Sequence, residues 1–201
     1  MTAKGKLAKE KIIKVTTQLV DTEADTKNIS IRRISRLAGI SLSSINYYFQ
    51  TKDKLIEESV RIRVNRVMKQ WLDLERSLNV DPVAKFRIYI HNLGEFMARH
   101  PKVMQVSILN VYSHYEPDDS LTYFHEKDVI PLLKSICPDK SEQQIKIVIS
   151  LCVDSIYLTL LRRIHYPEKC VCDFFNQESR NKYLDILVDS TVLVLRSIDS
   201  V

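Results

Sequence analysis

The chain has 201 residues, of which 45% are hydrophobic and 27% charged, and it contains only three Gly and six Pro. This composition predicts an ordered, mostly helical protein rather than a disordered one. No apolar run approaches the about 20 residues that span a bilayer, and the basic N-terminus lacks the apolar region of a signal peptide, so we expect a cytoplasmic protein with no membrane segment.

Positive charge is concentrated at the N-terminal end. Residues 1–66 hold fourteen Lys or Arg and seven Asp or Glu, whereas the remainder holds sixteen and eighteen. A basic end attached to a near-neutral body is the electrostatic footprint expected of a DNA-binding head. A solvated basic helix would give the same charge, so the charge alone does not decide between them.

The first predicted helix covers about residues 6–21, and the polar residues 22–29 are predicted to form a loop. Helical spacing gives this helix one inward apolar stripe, formed by Leu7, Ala8, Ile12, Val15 and Leu19.

Residues 30–52 are predicted to form two short helices joined by a tight turn. Ser30 is an N-cap candidate for the first helix, and Ile34, Leu37 and Ala38 give it a short apolar face. Gly39 is expected to end it, because a left-handed backbone conformation costs glycine least.

The second short helix is expected to begin after Ser41 and to be anchored by Ile45 and Phe49, which share one side at i, i+4 spacing. Its other side then carries small and polar groups, as entry into the DNA major groove requires. The candidates for contact with base edges are Ser43, Ser44, Asn46 and Tyr47, with Leu42 as an apolar contact to a thymine methyl group.

This segment resembles the DNA-binding signature of the tetracycline-repressor (TetR) family of bacterial transcription regulators. The matching positions are Ser30, Ile34, Ala38-Gly39-Ile40-Ser41, Ile45, Tyr47-Tyr48-Phe49 and Lys52. The chain departs from the family at Ser35, where Ala is usual, and at Asn46, where many members have Tyr. The resemblance implies phosphate contacts by Tyr48 and Lys52, with Ser30, Arg32 and Arg33 nearby.

The rest of the chain is also predicted to be helical, which gives an all-α fold of about nine helices. A long fourth helix covers about residues 52–77, and Asp81 with Pro82 is expected to start the fifth. Pro131 should kink or split the seventh helix, and Ser141 with Gln144 forms a capping box for the eighth. We expect a DNA-binding domain at 1–54 and an effector-binding and dimerisation domain at 55–201.

The last two predicted helices, at about 142–164 and 177–198, are apolar on nearly all sides. Such helices need cover from their own domain and from a partner. Two of them per chain predict a four-helix bundle across a two-fold axis, and the resemblance implies the same homodimer. Apolar residues that could face the partner include Val148, Val153, Leu187 and Val194.

The chain lacks the phosphate-loop, dinucleotide-binding, zinc-protease and serine-hydrolase motifs, so we expect neither an enzyme nor a cofactor. Cys152 is predicted to pack in the core. Cys170 and Cys172, with His165 upstream, resemble a metal or thiol site but lack a fourth ligand, so no metal is expected.

The function predicted from the sequence is a homodimeric repressor that binds a palindromic double-stranded operator and is released by a small apolar or amphipathic effector. The predicted effector pocket is lined by Trp71, Phe86, Tyr89, Phe96, Met104, Tyr112, Tyr123 and Phe124. Two alternatives remain: a DNA-binding adaptor whose body recruits a protein, and a metal or thiol sensor that uses Cys170 and Cys172.

Overall fold

The computed structural model describes residues 3–23, 25–113 and 129–198. Over these ranges the chain forms nine α-helices, two short 3-10 helices and no strand, which confirms the predicted all-α fold. The α-helices are α1 (Ala3–Thr22), α2 (Ile31–Ala38), α3 (Leu42–Phe49), α4 (Lys52–Ser77), α5 (Pro82–Arg99), α6 (Pro101–Ser113), α7 (Ile130–Ile136), α8 (Glu142–His165) and α9 (Gln177–Ser197). The 3-10 helices are Thr26–Asn28 and Pro167–Lys169.

The described residues divide into two compact units. The first contains α1, α2, α3, the part of α4 that ends at Arg66, and α6 from Lys102 onward. The second contains Val67–Pro101 together with α7, α8 and α9. The predicted domains, 1–54 and 55–201, stay a prediction, because compactness alone does not show which part folds independently.

The buried face of α1 differs from the predicted stripe. Ile12 and Leu19 are buried as expected, but Leu7 is exposed, and Thr16 takes a fully buried position. The Thr16 hydroxyl donates a hydrogen bond to the carbonyl oxygen of Ile12 at 2.8 Å. Because that bond satisfies its polar group, Thr16 can be buried at little cost, and the apolar periodicity of the sequence does not reveal it.

Two ion pairs join α1 to the first half of α4. Lys9 Nζ lies 2.6 Å from Glu58 Oε1, and Arg63 Nη1 lies 2.9 Å from Asp21 Oδ2. All four side chains are partly shielded from solvent, so screening weakens these pairs less than it would fully exposed ones. Together they join α4 to both halves of α1.

In the second unit, α5 packs against α7, α8 and α9. Gly94 permits the close approach of α5 and α9, because a Cβ atom at this position would lie 2.4 Å from Leu184 Cδ1. Beside this contact, the buried Arg180 donates to the Phe174 carbonyl oxygen at 3.0 Å and pairs with Glu95.

The predicted helix starts in this unit are confirmed. Asp81 Oδ1 accepts hydrogen bonds from the N–H groups of Val83 and Ala84, both at 3.0 Å. The Ser141 and Gln144 side chains each accept from the backbone N–H of the other residue, which is the predicted capping box. Pro131, which was predicted to kink or split a helix, lies in the first turn of α7, where its missing N–H leaves no helical hydrogen bond unmade. Residues 114–128 lie outside the described part of the chain, so the kink stays a prediction.

By length and composition, α8 is the one helix in the described ranges that is apolar enough to cross a membrane, and half of the qualifying window is buried inside the chain. The prediction that no segment spans a membrane considered only uninterrupted apolar runs, and α8 has the length and mean hydropathy of a membrane span although polar residues interrupt it. The buried half packs against α5, α7 and α9, as in the core helix of a globular unit.

Both α8 and α9 also carry exposed apolar side chains. Leu151 is 64% exposed and Leu193 is 68% exposed. The exposed apolar residues are Ile147, Leu151 and Leu158 on α8, and Ile186, Leu193 and Val194 on α9. Val148 and Val153 are wrong as partner-facing candidates, since both are buried in the core of their own chain. Val194 is exposed as expected, and Leu187 is half-buried.

Candidate nucleic-acid interface

The turn between α2 and α3 is built by local hydrogen bonds. Ser30 caps α2 by accepting from the Arg33 N–H at 3.2 Å, and Gly39 ends it in the left-handed conformation, with φ 64°. The hydroxyl of Ser35 then donates to the Ile40 carbonyl oxygen at 2.6 Å. Ser35, where Ala is usual in the TetR family, therefore stabilises this turn through its side chain.

The helix α3 is held to the first unit by its two predicted anchors. Ile45 and Phe49 are both almost fully buried. Phe49 also lies beneath a cation, with Lys9 Nζ 5.5 Å from the centre of its ring. Two anchors one helical turn apart fix the rotation of α3, so that Asn46 and Tyr47 between them face outward.

The outer face of α3 presents most of the predicted base-contact residues. Tyr47 is 82% exposed and Leu42 is 40% exposed, and Ser43 and Asn46 are exposed as well. Ser44 is half-buried. The structure therefore brings the five candidates together on one helix, and all of them except Ser44 are open to solvent.

Several residues that were predicted to contact phosphates already contact other groups within the chain. Arg33 Nη1 lies 2.5 Å from Glu23 Oε1, and Lys52 Nζ points at the carbonyl oxygens of Thr26 and Lys27, at 3.4 and 3.5 Å. The Ser30 hydroxyl is used as the helix cap described above. Tyr48 is half-buried, with its ring 5.3 Å from that of Tyr47, centre to centre, in an edge-to-face arrangement.

Two exposed arginines on α2 remain available. Arg32 and Arg36 are one helical turn apart, and neither forms an ion pair with any residue that the structure describes. Sequence reasoning did not predict Arg36 as a DNA contact, although its i, i+4 spacing from Arg32 gives the signal. Leu37, assigned to the inner face of α2, is exposed instead.

Gln50, which ends α3, has an unusual backbone conformation. Its φ of 61° and ψ of −54° make it the one non-glycine residue with positive φ in the described chain. The Thr51 N–H donates to the Phe49 carbonyl oxygen at 2.6 Å, so Gln50 is the centre of a three-residue γ-turn. This strained turn connects α3 to α4.

The predicted effector residues are divided between the two units. Met104 is buried and Tyr112 exposed in the first unit, whereas Phe86, Tyr89 and Phe96 are buried in the second. Trp71 is half-buried and meets Phe96 edge to face, with 5.6 Å between ring centres. Tyr123 and Phe124 lie outside the described residues. The pocket itself stays a prediction.

A charged cluster on α5 and α9 was not predicted from the sequence. Asp185 Oδ1 lies 2.6 Å from Arg87 Nη1 and 2.9 Å from His91 Nε2, and Asp189 lies 2.5 Å from Arg87 Nη2. Partial burial by itself would raise the pKa of Asp185, but hydrogen bonds from Arg87 and His91 outweigh it and lower the pKa. The cluster joins two helices that are far apart in the sequence.

The cysteines show little sign of a reactive site. Cys152 is buried as predicted, and burial raises the pKa of its thiol to about 11. Burial also raises the pKa of Cys172, an effect to which Cys170 and Asp173 add. No group of three or more His, Cys, Asp or Glu placed to hold a metal ion occurs in the described part of the chain.

Comparison with solved structures shows the same fold in known regulators. A TetR family transcription regulator from Marinobacter aquaeolei VT8 is 13% identical, with a TM-score of 0.61 over 96% of this chain and 98% of that one. The fatty acid degradation regulator FadR from Bacillus halodurans is 13% identical, with a TM-score of 0.64 over 96% and 97%. A TetR-family transcriptional regulator from Streptomyces coelicolor is 16% identical, with a TM-score of 0.64 over 96% and 82%.

Comparisons based on the amino-acid sequence gave no match. The chain matches no protein-family model and no curated protein sequence. The structural likeness covers nearly the whole chain and confirms the fold that the resemblance implied.

The turn at Gln50 gives a prediction about stability. Gln50→Gly should stabilise the protein by about 1 kcal/mol, because glycine adopts positive φ without the steric cost that a side chain carries. Urea unfolding followed by circular dichroism measures the change. Gln50→Ala is the matched control, since it removes the side chain and keeps the strain. A Gly variant no more stable than the Ala variant would show that the turn is unstrained.

Proposed function

We propose that this chain, which has the fold of TetR-family transcription regulators, is a repressor that binds a palindromic DNA operator as a homodimer in the cytoplasm. The observation that carries the proposal is the outer face of α3. It holds Leu42, Ser43, Asn46 and Tyr47 clear of the protein, while Ile45 and Phe49 anchor the opposite side. A helix held in this way fits the major groove of B-form DNA, where each base pair presents a distinct pattern of groups.

Affinity and specificity are assigned to different helices. In a helix-turn-helix the first helix crosses the DNA backbone and the second enters the groove. Arg32 and Arg36 project from α2 and are not neutralised by an ion pair with a described residue, so they are suited to phosphates. Asn46 on α3 is suited to a base edge, because its amide can donate to and accept from adenine at the same time.

Dimerisation is assigned to α8 and α9. The two helices pack against each other and leave Leu151 and Leu193 about two-thirds exposed on their outer faces. Exposed apolar surface of this kind marks an interaction site, and a second copy of the chain would cover it across a two-fold axis. Because such a dimer is two-fold symmetric, the two half-sites of its operator should form a palindrome, with their centres about 34–36 Å apart.

Release by a small apolar or amphipathic effector is the last part of the proposal. Trp71 is half-buried beside Phe96 in the second unit, and α4, which carries Trp71, begins directly after the γ-turn that ends α3. An effector acts only through a preference for one conformation over another, so it must bind the DNA-free form more tightly. The similarity to a fatty acid degradation regulator makes fatty acids the first probes to use.

The first prediction tests the division of roles on DNA, with an operator selected from random duplexes. Arg32→Ala and Arg36→Ala should each weaken binding to the operator and to unrelated duplex by the same factor. The slope of log binding constant against log salt concentration should become shallower by about 0.9 for each phosphate that is no longer neutralised. Asn46→Ala should change the preference at one base pair, at a cost of about 1–3 kcal/mol. Fluorescence anisotropy at several salt concentrations measures both effects.

Arg99→Ala is the matched control, because it removes the same charge from an exposed position at the end of α5, away from the helices assigned to DNA and to the dimer. It should leave binding unchanged. A uniform loss of specific and non-specific binding in Asn46→Ala would contradict the assignment of Asn46 to a base.

The second prediction concerns the dimer. Leu151→Arg and Leu193→Arg should each give a folded monomer, because an unpaired charge is costly to bury in an interface but harmless on an exposed monomer surface. Sedimentation at micromolar concentration measures the assembly, and circular dichroism measures the helix content. Leu7→Arg is the control, since Leu7 is 55% exposed on α1. If all three variants remain dimeric, α8 and α9 do not form the interface.

The third prediction uses Trp71, the one tryptophan of the chain, as a fluorescent reporter. Long-chain fatty acids should change the fluorescence of Trp71. Operator DNA should weaken fatty acid binding, and fatty acids should weaken operator binding, by the same factor. An unrelated duplex is the matched control. Equal fatty acid affinity with and without operator would rule these ligands out as inducers and would favour an adaptor that recruits a protein.

A further inference from the structure

The surface that α3 offers to DNA carries no charge. The helix reads Leu-Ser-Ser-Ile-Asn-Tyr-Tyr-Phe, without Lys, Arg, Asp or Glu. Its most exposed side chain is Tyr47, and the aliphatic Leu42 is also exposed in its first turn. Arg and Lys make the commonest specific contact to guanine, through O6 and N7, and Glu or Asp accept from cytosine N4. The residues best suited to a G·C pair are therefore absent from the helix that would enter the groove.

The serine hydroxyls of α3 are already used within the chain. Ser41 Oγ lies 3.0 Å from Ser43 Oγ and 2.8 Å from Ser44 Oγ, and it accepts the Ser44 N–H at 3.2 Å. Each of these hydroxyls has one donor and two acceptor sites, so the network restricts the direction from which a base can bond to it. Asn46, by contrast, is exposed, and its side chain makes no hydrogen bond with the residues that the structure describes. Asn46 and the Tyr47 hydroxyl are thus the uncommitted polar groups of this surface among the described residues, and of the two the Asn46 amide is the one that can bond to a base edge at two atoms.

The cations nearest to α3 in the sequence are held away from base contacts. Arg33 is paired with Glu23, Lys52 points at backbone carbonyl oxygens, and Lys54 Nζ lies 3.4 Å from Gln50 Oε1. Arg32 and Arg36 lie on α2, which is assigned to the phosphates. What remains to distinguish bases on α3 is chiefly the Asn46 amide, the Leu42 side chain and the Tyr47 ring with its hydroxyl.

We infer that α3 reads A·T pairs, with Asn46 bonded to adenine N6 and N7 and with Leu42 and Tyr47 packed against thymine 5-methyl groups. Thymine is the one DNA base with a methyl group in the major groove, and it offers an apolar surface that the other three bases lack. This inference rests on the proposed function and names the class of operator that the same site would select: half-sites with A·T pairs where α3 lies.

The test begins with selection of bound duplexes from a random pool by the full-length wild-type chain. Deoxyuridine is then placed at each half-site thymidine in turn, which removes the 5-methyl group and keeps the base pairing and the O4 acceptor. Each contacted methyl should be worth about fourfold in affinity, the value for burial of one such group. Deoxyuridine outside the half-sites is the matched control and should have no effect.

Each methyl effect is then measured in Leu42→Ala and in Tyr47→Ala. Because the thymine and uracil duplexes are compared within one variant, any general loss of affinity cancels. The fourfold effect should disappear at one thymine position in Leu42→Ala and at another in Tyr47→Ala. Asn46→Ala should keep both methyl effects and lose the preference for adenine.

The outcomes separate this inference from the function on which it rests. Selected half-sites with G·C pairs under α3, or uracil duplexes bound as tightly as thymine duplexes, would overturn the reading of A·T pairs and leave a sequence-specific DNA-binding protein. Methyl effects that persist in both variants would overturn the assignment to Leu42 and Tyr47. A pool from which no sequence is enriched would overturn the proposed function and this inference together.

Discussion

The burial of Ile45 and Phe49 is the constraint on which the candidate interface depends. An isolated helix of eight residues is unstable in water, so α3 persists because these two side chains pack into the first unit. Their spacing also sets its rotation, since residues four apart in a helix share one side. The exposure of Leu42, Asn46 and Tyr47 is then a consequence of geometry and not a separate property of those residues.

The first unit separates charges that hold its structure from charges that are open to solvent. Arg33 and Arg63 are paired with Glu23 and Asp21, and a phosphate would have to displace those partners to bind either arginine. A cation without a competing carboxylate gains more from a phosphate, because no existing ion pair has to break. For this reason Arg36 is better suited than Arg33 to bind the DNA backbone.

In the second unit, apolar side chains divide in a similar way into buried and exposed ones. Val148 and Leu151 are both apolar and lie on the same helix, yet one is buried in the chain and the other is exposed. A helix that is apolar all round has two sides to cover, and the neighbouring helices α5, α7 and α9 cover one of them. The composition that lets α8 resemble a membrane span thus comes from two apolar sides, of which one is buried in the core and the other is exposed.

Features that depend on a few neighbouring residues could be predicted from the amino-acid sequence. Caps, turns and anchors are of this kind: Asp81 with Pro82, Ser141 with Gln144, and the Gly39 turn all stand where their local hydrogen bonds and backbone preferences require. Which apolar side chains are buried could not be predicted in this way, because it depends on the packing of the helices. Leu7 and Leu37 fit an apolar stripe and are nevertheless exposed, whereas the polar Thr16 is buried. The physical reason is that burial depends on helices far away in the sequence, and periodicity gives the faces of one helix without giving the neighbour that covers each face.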